Sequence, residues 1–164
     1  MTTLEIYLGS NSDQTKLLYA KLESYGPVGV VAMNLFRAQK CSERAKVYRG
    51  GSGGVRYRDM AYERKNWSIK CLCEVLEGHG NELGIEWGWK QDPEQEWFPW
   101  VLYVELPTGQ VSFHSQNRGV GPDFDGEWDM RGGMCPWRIV KWVDSIIETH
   151  AGVESGKQVQ NESR

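Results

Sequence analysis

Trp100-Val-Leu-Tyr-Val-Glu-Leu-Pro-Thr-Gly-Gln-Val-Ser-Phe-His-Ser115 decides the fold class. From Trp100 to Leu106 nearly every position is apolar, which suits a central strand covered on both faces. Pro107-Thr-Gly109 is a hairpin turn, with proline's fixed φ at the first corner and a glycine free to take positive φ. Val111 to Ser115 returns as the next strand. Upstream, Ile85, Trp87 and Trp89 alternate with Glu86, Gly88 and Lys90, and Asp92-Pro93 marks the turn into Trp100. The expectation is a three-stranded antiparallel meander. Its register stays open, because a glycine bulge decides whether His114 shares a face with Tyr103 and Glu105 or with Leu102 and Val104.

Helical periods surround this sheet. Ser12 or Asn11 caps a helix over about 13–24 with Leu18 and Leu22 on one face. Gly26-Pro27 ends it and opens a second helix to about Arg49, with Val31, Leu35, Ala38 and Ala45 in one stripe. Gly50-Gly-Ser-Gly-Gly54 reads as a native turn or as an added flexible linker. A third helix spans about 56–77, its seam set by Tyr57, Met60, Trp67, Cys71 and Val75, with Arg64 in the middle of it, and Gly78-His-Gly80 as the stop. Residues 3–8 read as a short strand or lead-in. Pro136 opens a last helix to about His150, and 151–164 read as a frayed polar tail. The fold class is α+β: a helical hairpin plus N- and C-terminal helices on the meander, one domain over 1–150.

With 164 residues, 40% of them apolar and 25% charged, the composition is that of an ordinary globular chain and excludes wholesale disorder. No stretch approaches the roughly 20 apolar residues of a membrane span, and Met1-Thr-Thr-Leu-Glu lacks a signal peptide's basic and apolar regions. The expected location is the cytoplasm. Cys41, Cys71, Cys73 and Cys135 lack zinc-site pairing and read as reduced thiols.

The net charge of −3 averages two unlike halves. Residues 1–70 hold 12 Lys/Arg against 6 Asp/Glu; residues 71–164 hold 7 against 16, and seven of the eight tryptophans. Arg37, Lys40 and Arg44 form a basic stripe at helical spacing, extended by Arg56, Arg58 and Lys65, which suits an acidic or phosphate-bearing partner. Trp97-Phe-Pro-Trp100, preceded by Asp92-Pro-Glu-Gln-Glu96, reads as a protruding acidic loop with aromatic content of the sort used in interfaces. Asp123, Asp125, Glu127 and Asp129 recur at every second position. This run misses the EF-hand spacing, so it reads as solvated acids or a patch facing basic groups, and neither metal nor cofactor is expected. An alternative makes His114 an acid/base, with Arg64 and Arg118 as anion clamps and the acidic loop holding metal.

Two segments, Asn34-Leu-Phe-Arg-Ala-Gln-Lys-Cys-Ser-Glu-Arg-Ala-Lys-Val-Tyr-Arg49 and Val104-Glu-Leu-Pro-Thr-Gly-Gln-Val-Ser-Phe-His-Ser115, resemble small proteins carried by phages and prophages. The resemblance implies an accessory protein that binds and blocks a host system in the host cell, including defence systems such as CRISPR complexes. The expected function is therefore non-catalytic binding to a host protein or ribonucleoprotein that handles nucleic acid. The alternatives are direct nucleic-acid binding through the basic hairpin, and a small nucleotide- or phosphate-handling enzyme.

Overall fold

The computed structural model describes residues 3–8, 12–49, 54–129 and 133–162. In chain order these form α1 (Thr3–Leu8), α2 (Ser12–Glu23), α3 (Pro27–Arg49), α4 (Gly54–Leu83), β1 (Trp87–Gln91), β2 (Trp100–Leu106), β3 (Gly109–Ser115) and α5 (Pro136–Glu162). The class is α+β, as the alternation of periods predicts. The Asn11 cap and residues 50–53 of the glycine run lie outside the described residues.

The sheet has the order β1-β2-β3, antiparallel throughout. Trp89, Leu102 and Phe113 are mutual cross-strand partners, as are Trp87, Val104 and Val111, so these six side chains share the inner face. His114 pairs with Val101 and therefore stands on the outer face with Tyr103 and Glu105. The turn closes as Leu106↔Gly109, and Gly109 takes φ +122°. A Cβ there would be strained by that φ and would also push against the Arg138 side chain at 2.8 Å.

Helix α3 lies at the centre, packed against α2, α4 and α5, while α5 reaches β2 and β3. Val31, Ala32, Leu35, Phe36, Ala38, Gln39, Ser42 and Ala45 are all buried, so α3 is covered nearly all round. One continuous core joins Leu22, Phe36, Leu72, Leu102, Phe113, Trp128 and Val143.

Three element assignments are corrected. Residues 3–8 are helical rather than extended: Thr3 is buried, Ile6 and Tyr7 pack on the core, and the Tyr7 ring meets Phe36 edge-on at 5.2 Å. Helix α4 passes through Gly78 and Gly80 and stops at Gly84, which has φ +68°. The Trp87 indole lies against Gly80, at ordinary contact distance for a Cβ placed there. The backbone of α5 continues past His150 to Glu162.

Candidate functional site

An open cleft of about 240 Å³ lies between helices α2 and α3. The α3 stripe of Arg37, Lys40 and Arg44 lines one wall, with Cys41 between. The other wall is Ser12, Thr15, Lys16 and Tyr19. These four are spaced three, one and three along α2, so they share one face, adjacent to that of the buried Leu18 and Leu22. Four cations and no carboxylate line the space. Among the described residues none of the four cations forms an ion pair.

Each cation is held differently. Arg37 lies 5.4 Å above the Tyr19 ring, where the guanidinium is attracted to the π face. Lys40 donates to the Ile6 carbonyl and to the Thr15 hydroxyl, both at 3.3 Å, and so ties α1 and α2 to α3. Burial, then repulsion from Arg44, lowers the pKa of Lys40. Burial raises Tyr19 to about 12, although Arg37 and Arg44 pull the other way. Lys16 and Arg44 stay exposed at the rim. The sequence reading missed the α2 wall: Ser12, Thr15, Lys16 and Tyr19 lie at helical spacing, but that spacing alone does not show that they face α3.

The rest of the expected basic surface divides. Lys65 is fully buried, not a surface group. Arg64, expected on the core-facing seam, is exposed, as are Met60 and Trp67. The buried face of α4 is Ala61, Lys65, Ser68, Leu72 and Leu76, spaced four, three, four and four, which turns the helix about one residue from the apolar seam. Side chains of Arg56 and Arg58 lie outside the described residues.

Lys65 Nζ donates to the Asp129 carbonyl at 2.8 Å and lies 5.7 Å from the Trp128 ring centre. Burial pulls its pKa down to about 7, against the opposing pull of Asp129, Cys41 and Glu43. Asp129 is itself buried, so it leaves the expected acidic surface. Its backbone N–H donates to the His114 carbonyl at 2.8 Å, while Gln116 donates to Glu127 and Met134 to Ser112. The acidic segment thus runs along the free edge of β3 rather than looping away. Asn66 fastens its start, donating to the Gly121 carbonyl at 2.6 Å and accepting from the Gly121 N–H at 3.3 Å. Asp123, Asp125 and Glu127 remain exposed.

Trp97 is 74% exposed in the β1–β2 connection, whereas Trp100 is half-buried with the Arg118 guanidinium 5.9 Å above its ring. His114 lies in a different cavity, beside Lys90, Asp92, Gln110 and Ser112. None of the four cavities found among the described residues contains two of His114, Arg64 and Arg118. No three His, Cys, Asp or Glu side chains among the described residues converge at metal-binding spacing, and none of the described helices is long and apolar enough to cross a membrane.

The geometry defines an α+β protein with a cation-lined cavity and a separate acidic edge. No family model, curated protein or solved structure matches the chain.

Proposed function

We propose that this chain is a non-catalytic binding protein of the phage accessory kind, which occupies and blocks a host protein or ribonucleoprotein that handles nucleic acid, a defence complex included. The observation that carries this reading is the cavity lined by Lys16, Arg37, Lys40 and Arg44 with no carboxylate of its own. Like charges held together without counter-ions repel one another, and an anionic partner removes that repulsion. The exposed Asp123, Asp125, Glu127 and Trp97 form a second surface, of acidic and aromatic character, suited to a site that normally holds phosphate and bases.

The enzyme alternative loses its support, since His114, Arg64 and Arg118 share no cavity among those described. Direct nucleic-acid binding is the second reading, favoured by the same cations. A pull-down from host lysate with and without nuclease separates the two. A partner retained after nuclease, and lost on reversing Arg37, Lys40 and Arg44 to glutamate, supports protein blocking. Capture abolished by nuclease, with affinity falling steeply as salt rises, replaces it with direct binding.

A further inference from the structure

We propose that the α2–α3 cavity is a discrete binding site for one phosphate group, carried by a nucleotide either free or within a strand. This deepens the binding reading, because it rests on the same basic face and names the chemistry that face recognises. The size fits: about 240 Å³ falls below the ~300–1,000 Å³ of pockets that enclose drug-sized ligands, and suits a single anionic group.

The donors also fit. Lys40 uses two of its three ammonium protons on Ile6 and Thr15, so one remains for a ligand oxygen, and its position is fixed by the two bonds already made. Arg37 is oriented by the Tyr19 ring at 5.4 Å and brings a planar fork of N–H donors, the geometry that matches phosphate oxygens. Arg44 and Lys16 stand at the mouth, where long side chains close over a bound anion. Ser12, the first residue of α2, adds a hydroxyl to the lining.

The test is titration of the full chain with inorganic phosphate at constant ionic strength, followed by calorimetry and by amide shifts of α2 and α3. Saturable binding is expected. Arg44→Gln weakens it about tenfold or more, while Lys141→Gln, on exposed α5 surface, leaves it unchanged. Arg44 donates no described hydrogen bond to another element, so its variant keeps the fold; Arg37→Gln is the second variant. Competition with AMP, and with a 5′-phosphorylated oligonucleotide and its dephosphorylated twin, identifies the source. Displacement by AMP assigns the free nucleotide, and displacement by the phosphorylated strand alone assigns the strand. Non-saturable shifts, equal weakening in Lys141→Gln, or displacement by chloride as readily as by any phosphate overturn the proposal. Host-partner capture is scored separately: capture without phosphate binding sinks this site and spares the binding role, and phosphate binding without capture does the reverse.

Discussion

Replacing Lys65 by methionine keeps a long apolar stem and removes the ammonium. In the native protein Nζ is fully buried and donates to the Asp129 carbonyl at 2.8 Å. Losing that charge-assisted hydrogen bond costs about 1–3 kcal/mol, partly offset because the charge is no longer desolvated. The pH dependence is the sharper quantity. The native pKa of about 7 lies far below the unfolded lysine value of roughly 10.4. Below pH 7 both states hold the proton and the burial penalty is present in full. Between 7 and about 10.4 the unfolded chain binds one more proton than the native one, so stability rises with pH. Integration from pH 7 to pH 9 gives a gain of about 2 kcal/mol for the native protein that K65M lacks. Cys73 is raised to about 12 and Tyr19 to about 12, both by burial, so each lowers stability once the unfolded group ionises. Both act equally in the two proteins and cancel in the difference. Urea unfolding followed by tryptophan fluorescence at pH 7, 8 and 9 measures it. A native-minus-variant difference that is flat or shrinking across that range refutes the buried, readily deprotonated Lys65.

Gly29→Ala would place a Cβ 1.7 Å from the Leu22 carbonyl oxygen, so α2 and α3 must separate; a stability loss of about 3 kcal/mol or more is expected in urea unfolding. Asn66→Ala removes both hydrogen bonds between Asn66 and Gly121, leaving the Gly121 carbonyl its bond from the Phe124 N–H; the stability cost is about 1–2 kcal/mol, with faster hydrogen exchange at the Gly121 amide. Cys73, buried and with its thiol pushed up to about 12, resists iodoacetamide at pH 8 in native protein, while half-buried Cys41, Cys71 and Cys135 label first by peptide mass spectrometry.

The meander was legible because its determinants are local. Pro107-Thr-Gly109 fixes the turn, and alternation fixes β1. The face of His114 was not, since register depends on whether Gly109 pairs directly with Leu106. Helix α4 was misread for a specific reason: two large seam residues, Met60 and Trp67, face outward, and a lysine stem takes a core position. That choice makes sense only once Asp129 arrives from 64 residues away to accept the lysine's hydrogen bond. Gly78 and Gly80 look like a stop because helical glycine costs about 1 kcal/mol, yet α4 runs on through both to Leu83. Half of the cationic cavity was visible as Arg37, Lys40 and Arg44. The other half needed the packing of α2 on α3, which no spacing within one helix reveals.

The central claim is that the cations on α3 hold an anionic surface of a host partner. Its most direct measurement is partner affinity for the triple variant Arg37→Glu, Lys40→Glu, Arg44→Glu beside Asp123→Lys, Asp125→Lys, Glu127→Lys, each first shown folded by circular dichroism. Loss of nuclease-resistant binding in the first variant is the predicted result. Binding unchanged in both variants would contradict the account.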